Sequence, residues 1–249
     1  MSLTMNIELL KEDGKKAFYR VTGAEPELLN ALRRAIIADL PAFAIKEVDF
    51  FENTSAVFNE YLANRIGLVP LTWDDSLNED AEVYFTLDAS AEEGEKTVHA
   101  SQLVSQDEAI KVYCKNIPIV KLGENQKIRL QATADWGTAA KHARYQSAVA
   151  SYGLLSDYKL ATECSKCGAE IKPRLPPEAI EKISGKTPEQ CTLCFDCEQK
   201  ALKKKPDAFK DSDEDYVFYC ESYNNVPAKQ QVIRGLSIVE EKIEELKTK

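Results

Sequence analysis

The stretch that most restricts the fold runs Glu25-Pro-Glu-Leu-Leu-Asn-Ala-Leu-Arg-Arg-Ala-Ile-Ile-Ala-Asp-Leu40 and stops at Pro41. Pro26 suits a first helical turn, where its missing N–H is no loss. Glu25 and Glu27 lie near the positive end of the helix dipole. Pro41 disfavours the helical conformation at Leu40, so the pattern predicts one helix that ends there. At about 100° per residue, Leu28, Leu29, Leu32, Ala35, Ile36 and Leu40 share a broad apolar face, and Ile37 falls outside it beside Arg33. Such a helix has two surfaces to cover, its own sheet and something further. The simpler alternative is an ordinary core helix with one exposed Ile.

What precedes and follows this helix reads as sheet. Met5–Leu10 and Ala17–Thr22 flank a turn at Gly14, a β-hairpin feeding the helix. Ala42–Phe51 is the next strand, so the opening is strand, strand, helix, strand: a sheet with a helix on one face. Tyr61–Leu71 holds a short helix running into Gly67 and then an extended Leu68–Leu71. Residues 74–81 are polar and acidic, a loop. Val83–Leu87 is a strand, residues 92–95 a turn, and Thr97–Leu103 the strand expected to pair with it. Asn125-Gln126 fills a turn before a strand at Ile128–Ala134. Ser151–Glu163 should return to the sheet, and Tyr216–Ser222 is a strand by its aromatic and β-branched content.

A second amphipathic helix closes the chain. Within Ala228–Lys247, Val232, Leu236, Val239, Ile243 and Leu246 recur at spacings of four, three, four and three. An isolated helix of this kind is marginal in water and needs a surface to pack on. Its own sheet supplies part of that surface, and the seam also suits a partner helix.

Net charge and cysteine usage narrow the classes. A formal net charge of −9 argues against a general nucleic-acid-binding surface. No apolar run approaches the roughly 18–20 residues that span a bilayer, and the N-terminal residues lack a signal-peptide pattern, so a cytoplasmic chain is expected. Seven cysteines, five of them clustered, point to metal rather than disulfides. Cys164-Ser-Lys-Cys167 and Cys191-Thr-Leu-Cys194-Phe-Asp-Cys197 admit two metal readings. Cys-x2-Cys-x2-Cys opens the bacterial ferredoxin run. Ala201 stands where another cysteine would follow, so a two-cluster ferredoxin is not supported. A [3Fe-4S] cluster, or a [4Fe-4S] cluster with Cys164 or Cys167 as fourth ligand, is the expected cofactor. Zinc held by Cys164, Cys167, Cys191 and either Cys194 or Cys197 is the alternative, and a metal-free segment is a third. Cys114 and Cys220 are single and read as structural. His99 and His142 have no catalytic or ligating partner at a telling spacing. No phosphate-cradling loop, nucleophile elbow or metalloprotease motif occurs, which favours an interaction protein.

Four separated segments carry a resemblance. Leu29-Asn-Ala-Leu-Arg-Arg34 leading to Pro41 and Ala44-Ile45, Leu62-Ala-Asn-Arg-Ile-Gly-Leu-Val-Pro-Leu71, Asn116-Ile-Pro-Ile-Val120, and Trp136–Gln146 with its Gly137 and His142-Ala-Arg-Tyr145 are similar to the RNA polymerase assembly subunits. That family includes the bacterial α N-terminal domain and the archaeal D subunits. The resemblance implies an α+β fold with a discontinuous dimerisation domain (1–51, 152–163 and 213–249), made of a sheet and two helices. It further implies a mostly β insert domain at 52–151 and a small ferredoxin-like or zinc-knuckle cysteine domain at 164–212, since some archaeal D subunits carry a ferredoxin-like domain. It implies a non-catalytic assembly subunit of DNA-directed RNA polymerase whose two helices pair with the small subunit L. The implied interface is Leu28, Leu29, Leu32, Ile36 and Ile37 with Val232, Leu236, Val239, Ile243 and Leu246. The heterodimer would be a platform for the large catalytic subunits, with Arg33 and Arg34 near them. No direct nucleic-acid or membrane contact is expected. The alternative from another class is a ferredoxin-like electron carrier or redox sensor.

Overall fold

The computed structural model describes residues 5–78, 80–154, 177–182 and 215–248. In chain order the elements are β1 (Asn6–Glu12), β2 (Lys16–Thr22), α1 (Pro26–Arg34) with a π-helical turn at Ala35–Asp39, β3 (Pro41–Asn53), α2 (Asn59–Gly67), β4 (Val83–Ala91), β5 (Lys96–His99), β6 (Val104–Ser105), β7 (Pro118–Leu122), β8 (Gln126–Thr138), β9 (Ala148–Leu154), α3 (Pro177–Lys182), β10 (Asp215–Ser222) and α4 (Ala228–Lys247). The fold is mixed, with more strand than helix. Two compact units emerge, one of Met1–Arg34, Ala150–Glu221 and Ala228–Lys249, the other of Ala35–Val149 and Ser222–Pro227.

The first unit is built on a sheet in the order β1-β2-β10-β9. The β1–β2 hairpin turns at Gly14, whose φ of +84° is open to glycine at little cost. Asp13 Oδ1 accepts from the Lys16 amide at 2.7 Å across that turn. In the β2–β10 register Tyr19 faces Phe218 and Phe18 faces Tyr219. Period-two alternation therefore puts Tyr19, Val21 and Phe218 on one face, and Phe18, Arg20, Val217 and Tyr219 on the other. The second face carries the bidentate pair of Arg20 with the buried Asp215, Nε–Oδ1 2.9 Å and Nη2–Oδ2 2.7 Å. That hydrogen bond holds the Arg20 guanidinium more firmly protonated than usual. The same face receives α3, where Ala179 packs with Leu10 and Val217. A bulge between Leu9 and Lys11 leaves Leu10 without a cross-strand partner. Lys182 Nζ donates to the Leu10 carbonyl at 2.8 Å, and Lys11 pairs with Glu178 at 2.8 Å.

The second unit is the β3-β8-β4-β6 sheet, with β5 and β7 forming a separate two-stranded ladder. β4 alternates buried and exposed residues along nearly its whole length, the mark of an antiparallel sheet with one wet face. Its inner residues Val83, Phe85 and Leu87 join Phe43, Ile45, Leu62 and Ile66 in one core. Arg65 of α2 donates to the carbonyls of Ile119 (3.0 Å) and Pro118 and so ties α2 to β7. Asn125, at φ 60°, makes the turn into β8, a conformation Asn tolerates better than most residues.

Several expectations are corrected. The helix reaches Asp39 as foreseen, but its last turn widens: the Leu40 amide donates to Ala35 O at 3.2 Å, five residues back. Pro41 has no N–H to continue the ladder, and β3 starts there. The strand expected over Thr97–Leu103 ends at His99, and it pairs with β7, not with the Val83–Leu87 strand. A 3-10 turn at Ala100–Gln102 stops it, with Gln102 Oε1 accepting from the His99 amide at 3.2 Å. β4 pairs instead with β8 and β6. The strand expected at Ser151–Glu163 begins at Ala148; its part after Leu154 lies outside the described residues. The units divide at Arg34/Ala35, because β3 pairs with β8 from Pro41 to Asn53 and so belongs with the second sheet throughout.

The loop after β8 folds back by a specific contact. Tyr145 is buried and lies with Ala42 and Ala44, its hydroxyl donating to Asp135. A Cβ on Gly137 would meet the Tyr145 ring at 2.8 Å. Gly137→Ala should therefore lower stability by about 1–3 kcal/mol, the usual cost of overpacking. A drop in the thermal midpoint, largely relieved by adding Tyr145→Ala, checks it.

Candidate partner interface

The first unit lays both long helices against one sheet face. Leu29 and Leu32 of α1 are buried, as are Ala228, Gln231, Val232 and Gly235 of α4. Leu28, Leu29, Leu32, Val232 and Leu236 meet Tyr19, Val21 and Phe218, with Met5 and Ile7 at the β1 edge, around an apolar hollow. The start of α4 is fixed by its Ala228 amide, which donates to Gly14 O at 2.8 Å.

Coverage fails along α4. Twenty residues at about 1.5 Å each make a helix of about 30 Å. One face of its first two turns (Ala228, Gln231, Val232, Gly235) is buried, Leu236 and Val239 are half-buried, and every described residue from Glu240 onward is exposed. Ile243 is 45% and Leu246 74% exposed. Nothing polar in the seam explains why these two hydrophobes continue the spacing set by Val232, Leu236 and Val239. In this half Lys247 pairs with Glu244 at 2.7 Å, a weak surface ion pair.

The predicted residues thus fall into different environments. Val232, Leu29, Leu32 and Ile36 are buried within the chain's own units, Ile36 fully. Leu28, Ile37, Leu236 and Val239 are partly buried, and Ile243 and Leu246 stand out in solvent. Arg33 is held along its own helix, with Nη2 on Asn30 Oδ1 at 2.9 Å, while Arg34 is exposed. The sequence reading missed Met5 and Ile7, each 41% exposed, and Ile233, 45% exposed. Met5 and Ile7 alternate into β1 as one sheet face does. Ile233 sits one residue off the seam and gives no periodic signal.

Cys164, Cys167, Cys191, Cys194 and Cys197 lie outside the described residues. Among the described residues no group of three or more His, Cys, Asp or Glu could hold a metal ion, and no helix is long and apolar enough to cross a membrane. Cys114 and Cys220 are free thiols. His142 sits in an exposed turn, its Nδ1 accepting from the Arg144 amide at 3.1 Å.

The first unit is thus a sheet backed by two helices, with the distal part of the α4 seam exposed among the described residues. Residues 45–156 match the RNA polymerase Rpb3/RpoA insert domain. DNA-directed RNA polymerase subunit Rpo3 of Halobacterium salinarum is 31% identical over 247 residues, covering 98% of this chain and 97% of its own. Subunit Rpo3 of Methanosarcina acetivorans is 31% identical over 268 residues, covering 98% and 97%. That of Pyrobaculum neutrophilum reaches 43% over 145 residues, covering 53% and 55%. The chain belongs to the family of archaeal RNA polymerase subunit Rpo3.

Burial has also set proton affinities that can be checked. Tyr19 is pushed up from 10.0 to about 12 by burial, then by Glu12 and Cys220. Tyr145 goes from 10.0 to about 12 through burial and its hydrogen bond to Asp135. The Cys220 thiol goes from 9.0 to about 12 by burial and then Glu221. All three are neutral when protonated, and the fold favours that form. Their contribution is complete below about pH 9 and is lost as pH rises toward 12. Stability in a pH series should fall over that window, and Tyr19→Phe with Tyr145→Phe should flatten the fall. A profile level to pH 12 in the unaltered chain contradicts this.

Proposed function

We infer that this chain is a non-catalytic assembly subunit of archaeal DNA-directed RNA polymerase, acting in the cytoplasm. It pairs with the small subunit L and presents the heterodimer as a platform for the large catalytic subunits. The observation that carries the reading is the half-covered seam of α4. An apolar edge from Leu236 to Leu246, continuous with a hollow that α1 and the sheet already line, suits a second helix laid alongside it. Leu28, Ile37 and Ile233 border the same kind of surface on their own elements, and Arg34 is free to reach a large subunit. Matches to polymerase subunits along nearly the whole chain support this role. The electron-carrier alternative has no such support.

The exposed seam allows a cleaner test than the buried one. Asp at Leu32 or Ile36 would place a charge in a closed core and unfold the chain. Ile243→Asp with Leu246→Asp should leave the thermal midpoint close to that of the parent, since surface changes usually cost within about 0.5 kcal/mol. The same pair should abolish co-purification of subunit L. Undiminished heterodimer yield from the folded variant would sink the pairing.

For the cysteine segment, five thiolates in Cys-x2-Cys and Cys-x2-Cys-x2-Cys spacing are a soft donor set suited to iron–sulfur or zinc. We propose an iron–sulfur cluster on Cys191, Cys194 and Cys197, with Cys164 or Cys167 available as a further ligand, and zinc as the alternative. When bound, either would act as a local cross-link for a segment with few apolar residues. Anaerobically purified protein should contain iron and acid-labile sulfide and lose both when Cys191, Cys194 and Cys197 are replaced by Ser. Zinc without sulfide would remove the cluster, and neither metal would remove the site.

A further inference from the structure

The exposed half of α4 carries charge beside its apolar seam, and the charge is unevenly placed. At about 100° per residue from the line of Val239, Ile243 and Leu246, Glu240 and Lys247 lie about a quarter-turn to one side and Lys242 about a quarter-turn to the other. Glu241, Glu244 and Glu245 fall toward the back of the helix. The first three border any helix packed on the seam, and the last three face away from it.

Two of these charges have different fates on the same edge. The Lys247 ammonium is already engaged, 2.7 Å from Glu244 Oε1. Glu240 is exposed and gains nothing from its own helix. The residues three and four positions away, where a helical ion pair would form, are Leu236, Ser237, Ile243 and Glu244. None is cationic, and Glu244 is a like charge at an unfavourable spacing. Nor does the macrodipole call for a carboxylate in this half, because the C-terminal end of a helix favours cations. Helix propensity is met equally by lysine or glutamine. What separates Glu240 from the glutamates behind it is its place beside Ile243.

We propose that Glu240 is a specificity-determining residue of the seam: the partner helix that covers Ile243 and Leu246 carries a lysine or arginine along the edge that faces Glu240. The proposal rests on the reading that the distal half of α4 meets a partner helix. Opposite charges at the edges of such a pair set partner choice and orientation. The same chemistry argues against a second copy of this chain in that place. From Ile238 to Lys247 the helix holds four glutamates and two lysines, so two distal halves laid together repel.

The test uses the full chain with subunit L and compares two variants that change net charge equally. Glu240→Lys reverses the charge at the edge of the seam, and Glu241→Lys reverses one on the back of the same helix. Heterodimer affinity is measured at low salt and at about 1 M salt, where the screening length is about 3 Å. Glu240→Lys should bind L about fivefold more weakly at low salt, and the gap should close at high salt. Glu241→Lys should stay close to the parent at both, and the thermal midpoints of the two variants should match. Equal losses in both variants would reduce the effect to net charge, and unchanged or tighter binding by Glu240→Lys would show no cation facing it; each overturns the proposal. Self-association of the unaltered chain with the same dependence on Glu240 would make the occupant a second copy and overturn it as well. The assembly reading fails separately, if Ile243→Asp with Leu246→Asp leaves the heterodimer intact.

Discussion

The structure depends on one mismatch of length. A helix of about 30 Å is laid on a four-stranded sheet that covers only its first two turns. The burial of Val232 and Gly235 against the sheet fixes the first part. The continuing seam at Val239, Ile243 and Leu246 then leaves apolar surface with no counterpart among the described residues. Hydrophobic burial contributes roughly 25 cal/mol per Å², and a monomer that leaves such a seam wet forgoes that contribution. The remainder of the first unit supports this arrangement. α1 fills the neighbouring part of the same sheet face, and Arg20 with Asp215 locks β2 to β10 from behind.

The second unit has a different logic. Its sheet closes one large core on a single face, with α2 held to β7 by one arginine. Its return loop is set by a ring stacked on a glycine. The Ser222–Pro227 turn belongs to the same unit, where the Tyr223 amide donates to Ser147 O at 2.8 Å and the Asn225 side chain bonds both backbone groups of Trp73.

Local chemistry made some elements legible. Gly14 between two apolar runs announced the first hairpin, Pro26 and Pro41 bracketed the helix, and the four-three spacing gave α4 its full span. Other features depended on competition between distant segments. Thr97–Leu103 has strand composition, but which strand it joins is set by which edge is free, and β8 had already taken the edge of β4. The widened turn at Ala35–Asp39 has no signature beyond the proline that follows it. Division at Arg34 could not be read because β3 is continuous in pattern with the preceding helix's domain and declares its allegiance only by pairing with β8.

The sequence by itself determined the family, the two amphipathic helices and the residues of the seam, because periodicity and turn chemistry are properties of neighbours along the chain. Tertiary structure decided which of those residues remain available. Ile36 and Leu32 look no different from Ile243 and Leu246 in a periodic pattern, yet the first two are closed in and the last two are open. The physical reason is that burial depends on how far a surface extends beneath a helix. No stretch of sequence encodes that extent locally: it is fixed by the width of a sheet assembled from strands some two hundred residues apart.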